Sequence, residues 1–322
     1  MRIVIYGAGA IGGVLGARLF ENGHEVVLIA RGAHYQAMRD HGLRVETPVG
    51  GAVVDVPVVA HPSAIAWGVD DIVVLAMKTQ DTIDALGALA DAGAHRVPVV
   101  CAQNGVESER MALRMASDVY SVCVMCPAAH LEPGVVQAFS VPTPGILDVG
   151  RYPLGSDSVS ESLATAFRDA TFHAEARTDI MRWKYTKLLM NLGNAAEALC
   201  GPSARGSEIA RLARDEGIAV LRAAGIDFVS DQEFIERRGD LIRPQAIGGG
   251  PRPGGSSWQS LERGTGRIEA DYLNGEVALL GRLHGVPTPA NAVLQRFAND
   301  AAQHKRPPGS MSADDLLAGV GA

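Results

Sequence analysis

The sequence predicts an α/β chain with a doubly wound parallel sheet in its N-terminal half and an all-helical C-terminal half, divided into residues 1–176 and 177–322. Three observations predict this. Short apolar, β-branched runs at 2–6, 25–30, 71–77 and 97–102 alternate with helical spacing, the pattern of strands joined by crossover helices. A glycine-rich turn follows the first run and opens a helix. Near residue 175 the texture changes, and helical patterns follow at 180–199, 207–225, 232–242, 257–283 and 288–304 with no convincing strand among them. The stretch 118–150 reads as further strands extending the sheet, with turns at Glu132-Pro133-Gly134 and Pro142–Gly145.

Composition fits this division. At about 150 residues per domain, a chain of 322 residues holds two domains. With 47% apolar and 20% charged residues it can bury a core, which excludes a disordered chain, a fibre or a small disulfide scaffold. A formal charge of −7 argues against a nucleic-acid-binding surface. No apolar stretch approaches the roughly 18 residues of a membrane-spanning helix. The chain starts directly on a strand without a secretory pattern, so a cytoplasmic protein is expected. Cys123 and Cys126 have C-x-x-C spacing but lie in a strand-like run without a second ligand pair, so they read as core residues.

The first chemistry-bearing motif is Gly7-Ala8-Gly9-Ala10-Ile11-Gly12. On its own, GxGxxG is weak. Here it follows a strand, opens a helix and precedes a second strand, the context that makes it the fingerprint of a Rossmann-type dinucleotide site. Gly7 permits the turn, Gly9 lets the backbone approach a pyrophosphate, and Gly12 lets helix and strand pack closely. A site selecting NAD usually ends its second strand on an acid about 20 residues further on. Here that strand ends at Ala30-Arg31-Gly32. Arg31 can pair with a 2′-phosphate, so the predicted cofactor is NADPH.

The second constellation is Lys187 and Asn191, four apart on the first helix of the C-terminal half and so on one face. An amine there can hydrogen-bond a carbonyl and deliver a proton to it. The chain holds only four lysines, Lys78, Lys184, Lys187 and Lys305. Lysine can give up a proton where arginine effectively cannot, so each retained lysine is a candidate for such a role. Taken cold, a lysine on an amphipathic helix is more often simply solvated, and Glu269 would read as a surface carboxylate. Glu269 and Asp271, two apart, do not share a helix face. Ser256-Ser257 reads as the cap of the helix after the Gly/Pro-rich loop Gly248–Gly255, whose glycines would permit a lid-like motion.

Together these residues resemble the ketopantoate reductase (2-dehydropantoate 2-reductase) family along almost the whole chain. The resemblance rests on GAGAIGG, the VLAMKTQDT strand end with Lys78, and Gln103-Asn104-Gly105. It continues through Lys187-Leu-Leu-Met-Asn191, Ser256-Ser257 and Ile268-Glu269-Ala-Asp271-Tyr272-Leu-Asn274-Gly275. It implies an NADPH-dependent oxidoreductase that reduces a 2-oxo acid, most typically ketopantoate to pantoate in pantothenate biosynthesis. Lys187 would be the general acid, with Glu269 balancing its charge and binding substrate. Ser257 would hold the substrate carboxylate and Asn191 a substrate hydroxyl or carbonyl. Asn104 would lie near the nicotinamide ribose and the substrate, and Lys78 near the cofactor. No metal is implied, and a homodimer is a reasonable expectation.

The chain departs from the family pattern at four places. Gly254 stands where an Asn is expected, Ala195 where a second Asn is expected, and Leu261 where many members carry Asp; Trp258 replaces a common Met. Asn194 is displaced by one residue, about 100° around a helix. These changes leave the 2-oxo acid chemistry in place and alter recognition of the rest of the substrate, so another 2-oxo acid is the alternative. Two rival readings stand beside these. A 3-hydroxyacid dehydrogenase would place Lys and Asn three apart. A cofactor-sensing regulator would have no use for Lys187, Ser257 and Glu269.

Overall fold

The apolar runs become the strands of one seven-stranded sheet. The computed structural model describes residues 1–250 and 253–320. In chain order it contains β1 (Arg2–Tyr6), α1 (Ala10–Glu21), β2 (Glu25–Ile29), α2 (Gly32–His41), β3 (Leu43–Thr47), β4 (Gly50–Val54), β5 (Val58–Val59) and β6 (Asp71–Leu75). Then come α3 (Thr82–Asp91), β7 (Val99–Cys101), α4 (Ser108–Leu113), β8 (Val119–Met125), β9 (Ala128–Ala129), β10 (Val135–Ala138), β11 (Ser140–Pro142), β12 (Ile146–Arg151) and α5 (Ser158–Asp169). The sheet order is β12-β8-β7-β6-β1-β2-β5. All neighbours are parallel except β12, which runs antiparallel to β8. β6 and β8 are buried along their whole length, as expected of strands covered on both faces. Cys123 lies inside β8 and is buried.

β1 pairs with β2 on one side and β6 on the other, so the strand order reverses beside it. Such a reversal opens a crevice at the carboxyl ends of the strands, where α/β sheets bind ligands. A second sheet, β4-β3-β10-β9, was not legible in the sequence.

The remaining elements are α6 (Ile180–Asn191), α7 (Asn194–Cys200), α8 (Glu208–Ala223), α9 (Asp231–Arg238), β13 (Ile242–Pro244), α10 (Ser256–Glu262), α11 (Asn274–His284), α12 (Pro289–Gln303) and α13 (Ala313–Ala318). The contacts divide the chain within α6. One unit holds Met1–Trp183 with Asp231–Arg252, and the other holds Lys184–Ser230 with Pro253–Ala322. This differs from a single cut at 176/177, because the segment around α9 returns to the first unit.

The C-terminal half is mostly helical but not wholly so: β13 pairs antiparallel with β11. The physical tie is Asp148 on β12, which is fully buried. Its carboxylate accepts from the Glu175 amide at 2.9 Å, from Arg177 Nε at 2.8 Å, and from Arg237 on α9 at 2.8 and 2.6 Å. The Arg177 guanidinium lies 4.0 Å from the centre of the Trp183 ring. A bidentate arginine so held fixes α9 against the sheet edge, which no local periodicity announces.

The long pattern at 257–283 is broken into α10, a single turn at Glu269–Tyr272, and α11. In the second unit a buried polar chain joins three helices. Asn274 Nδ2 donates to the Leu192 carbonyl at 3.1 Å and to Asn291 Oδ1 at 3.0 Å. Asn291 Nδ2 in turn donates to Glu216 Oε2 at 2.8 Å. Asn274 therefore has a packing role here. Among the described residues no helix is long and apolar enough to cross a membrane.

Candidate functional site

The first unit gathers its candidates at the carboxyl ends of the strands. β1 ends into Gly7, whose φ of 102° lies in the left-handed region that favours glycine. A Cβ on Gly7 would come within 2.6 Å of the Met77 amide nitrogen. A Cβ on Gly12 would strike the Gly7 carbonyl and Ile5. Gly9 differs: the nearest atom to its Cβ position is His130 Cδ2 at 3.9 Å. The turn is thus closed at Gly7 and Gly12, by β6 and by β1, and open at Gly9.

Gly9 is also the N-cap of α1, with no side-chain cap and no acid in the first turn. Uncapped N–H groups at a helix N-terminus suit a pyrophosphate. Ala8, Ala10 and Ile11 form the rest of the turn, and Ala8 N donates to Ile29 O at 3.3 Å. These observations fit a dinucleotide, which this turn and the end of β2 would hold.

Arg31 is the exposed N-cap of α2, immediately beyond β2. Lys78 follows β6 and Asn104 follows β7. Their turns are tied by Thr79 Oγ1, which donates to the Asn104 carbonyl at 3.2 Å. Gln103 is buried and pins both from below. Its Nε2 donates to the Met77 carbonyl at 3.1 Å and to Thr82 Oγ1 at 2.9 Å. The sequence pattern around Gln103 does not announce this role, since both partners lie more than 20 residues away in the chain.

In the second unit α6 carries Lys187 and Asn191. Lys187 Nζ donates to Asn191 Oδ1 at 3.3 Å, so the shared face read from their spacing is real. Lys187 is partly exposed, whereas Asn191 is buried. Thr186 Oγ1 donates to the Val229 carbonyl at 2.7 Å and so fixes the helix turn that presents Lys187.

Ser256 Oγ lies 3.4 Å from Glu269 Oε2. The helix cap is Gly255 rather than the serine pair, and Gly255 N donates to Glu197 Oε1 at 3.1 Å. Ser257 is buried one residue further on. Glu269 is also buried, while Asp271 turns to α12 and accepts from Gln295 and Asn299 at 2.7 Å each. The two acids diverge as their spacing requires. Arg263 was missed by the sequence reading. Burial pushes its guanidinium down from the usual arginine range, against an opposing pull from Glu269. It adds a cation to the surroundings of that carboxylate.

The four departures also have structural expression. A Cβ on Gly254 would meet Trp258 Cβ at 2.6 Å and Cδ2 at 2.7 Å, so the tryptophan fills the space a side chain at 254 would need. Ala195 and Leu261 are buried. Asn194 is buried, and its Oδ1 has no partner among the described residues. The Gly248–Gly255 loop, expected to permit lid-like motion, includes positions 251 and 252, which lie outside the described residues.

A glycine turn at the switch point of a parallel sheet, followed in the chain by a helix-borne lysine–amide pair, defines a nicotinamide-dependent oxidoreductase. Comparison with known proteins narrows that class. Residues 3–153 match the N-terminal model of the ketopantoate reductase PanE/ApbA family, and residues 179–302 match its C-terminal model. The chain therefore belongs to the ketopantoate reductase family.

A 2-dehydropantoate 2-reductase of Mesorhizobium japonicum is 33% identical over 322 aligned residues, covering 91% of this chain and 96% of that protein. One from Pyrococcus horikoshii is 27% identical, covering 91% and 95%. The crystal structure of a PanE/ApbA family ketopantoate reductase from Ralstonia eutropha superposes with a TM-score of 0.79 at 30% identity, covering 95% of this chain and all of that one. The fold is shared equally by D-mandelate dehydrogenase bound to NADH and anilino(oxo)acetate, with a TM-score of 0.80 at 23% identity, covering 95% and 99%.

Proposed function

We propose that this chain reduces a 2-oxo acid to the 2-hydroxy acid with NADPH, and that ketopantoate is its substrate. The carrying observation is the Lys187–Asn191 pair, an ammonium held on a fixed helix face at 3.3 Å from an amide oxygen. A dinucleotide held by the glycine turn and the end of β2 would supply the hydride for C2 of the substrate. Lys187 donates a hydrogen bond to the C2 carbonyl oxygen and transfers its proton there as charge develops, after which solvent reprotonates the amine. Asn191 holds Lys187 in this orientation and presents its amide to a neighbouring substrate oxygen. Glu269, with Ser256 on one oxygen, is assigned to balancing the charge of the amine and to binding substrate. Ser257 is assigned to the substrate carboxylate. The cytoplasm and a homodimer remain the expected setting.

The choice of NADPH rests on Arg31, exposed at the end of β2 where an NAD site would carry an acid. Arg31→Ala removes the bidentate partner of a 2′-phosphate. We expect it to raise the KM for NADPH by about 10- to 100-fold, the worth of one hydrogen bond to a charged group, while leaving the KM for NADH within about twofold. Initial-rate kinetics with both cofactors checks this. Equal losses with both would place Arg31 in the fold rather than in cofactor selection.

A second reading is favoured by Trp258, which occupies the space beside Gly254 with an indole. An aromatic wall suits a 2-oxo acid whose side chain is apolar better than one bearing a hydroxyl. A pocket that loses a hydrogen-bond partner loses orders of magnitude in preference for the polar substrate.

A further inference from the structure

The turn Glu132-Pro133-Gly134, which the reaction does not use, lies against the cofactor loop through a single histidine. His34 sits in the first turn of α2, three residues after Arg31. Its Nε2 lies 2.7 Å from the Ala8 carbonyl, inside the glycine loop. Its Nδ1 accepts the Gly134 N–H at 2.8 Å. An imidazole that donates on one nitrogen and accepts on the other must be neutral, in the Nε2–H tautomer.

The approach is built, not incidental. Gly134 has a φ of 78°, and a Cβ there would sit 2.9 Å from Ala37 Cβ on α2. A second ring supports the first: His130 lies 4.1 Å from His34 centre to centre. Its Nδ1 is 3.0 Å from the Val135 carbonyl, on the strand that follows the turn. His130 Cδ2 is also the nearest atom to the open face of Gly9. Burial pushes the His34 pKa down, which maintains the neutral form.

The geometry points to His34 as a positioning residue for the dinucleotide. By holding the Ala8 carbonyl it fixes the plane of the Ala8–Gly9 peptide, and with it the direction of the Gly9 N–H at the start of α1. Peptide planes are rigid, so a carbonyl held on one side sets the amide on the other. A pyrophosphate bound by uncapped amides depends on those directions. Arg31 and His34 share one helical turn, so the 2′-phosphate end and the pyrophosphate loop are set by the same element. This inference rests on the reading of the chain as a dinucleotide-dependent reductase, and concerns the loop rather than the choice between NADPH and NADH.

Its test is a comparison of His34→Ala and His34→Gln by cofactor fluorescence titration and steady-state kinetics. Losing one ordering hydrogen bond costs about 1 kcal/mol, or roughly a fivefold change in affinity. His34→Ala is expected to weaken NADPH and NADH alike by about fivefold or more, with kcat at saturating cofactor within about twofold. His34→Gln, whose amide both donates and accepts, is expected to recover most of that affinity. Unchanged cofactor affinity in His34→Ala overturns the inference while leaving the reductase reading intact. So does a fall in kcat with the cofactor KM unmoved, or a loss that affects NADPH alone. Failure of the unaltered protein to bind either dinucleotide overturns both.

Discussion

Replacing Lys187 with alanine should lower kcat by about 100- to 10,000-fold, the usual worth of a positioned general acid. The KM for NADPH should stay within about threefold, because the lysine acts on the developing oxyanion and not on cofactor binding. Lys187→Arg sharpens the test. Arginine keeps the charge and the donor but cannot release a proton at working pH. If charge alone stabilises the transition state, Lys187→Arg retains most of the activity. If proton transfer is required, it loses nearly as much as alanine, and that is the expected outcome. Asn191→Ala should be milder, because it removes the Oδ1 partner at 3.3 Å and leaves the amine in place. Pre-steady-state and steady-state kinetics with NADPH and the preferred 2-oxo acid measure all three variants.

The second large effect is on stability. Asp148→Ala removes a fully buried carboxylate that accepts from the partly buried Arg177 and Arg237 guanidiniums and leaves them only the exposed Glu175. Removing one partner of a buried ion pair costs about 3–5 kcal/mol, a large part of the usual 5–15 kcal/mol of a folded domain. Urea unfolding should show the midpoint fall accordingly. Limited trypsin digestion should cut first around α9, which this carboxylate holds to the sheet. Asp148→Asn should retain part of the stability, since its single carbonyl oxygen still accepts from one arginine. A shift below about 1 kcal/mol in Asp148→Ala would mean that the network is an ordinary surface pairing, despite its burial.

Asp148 also shows where sequence reasoning ends. The glycine turn, the apolar strand runs and the Lys187–Asn191 face are local patterns, written in neighbouring residues or at the helical repeat of about 3.6, and the strands and helix lie within or close to the ranges the sequence predicts. The return of Asp231–Arg252 to the first unit depends on Arg237 reaching a carboxylate 89 positions away in the chain. No window of sequence contains that pair. The same holds for β13, three residues with no alternation, made a strand only by β11.

Serine commonly caps helices, so the sequence predicts a cap at the serine pair. The structure places Gly255 there instead, and its amide is taken by Glu197 from another helix. His34 and Arg263 escaped notice for a related reason. Each is an ordinary polar residue on a polar stretch, and only packing brings one to the Ala8 carbonyl and the other near Glu269. Gly254 was legible as a departure, but Trp258 as its complement was not, since filling of one residue's space by another is a tertiary fact.

The most direct measurement is the loss of NADPH absorbance when the purified chain meets a panel of 2-oxo acids that includes ketopantoate and acids with branched and aromatic side chains. Stoichiometric oxidation of NADPH with formation of the 2-hydroxy acid is the expected result. If ketopantoate is turned over most efficiently, Gly254, Ala195 and Leu261 are tolerated replacements. If an apolar 2-oxo acid leads by tenfold or more in kcat/KM, Trp258 marks the altered wall. No consumption of NADPH with any member, by a protein that still binds the cofactor, would contradict the central claim that Lys187 protonates the carbonyl of a 2-oxo acid.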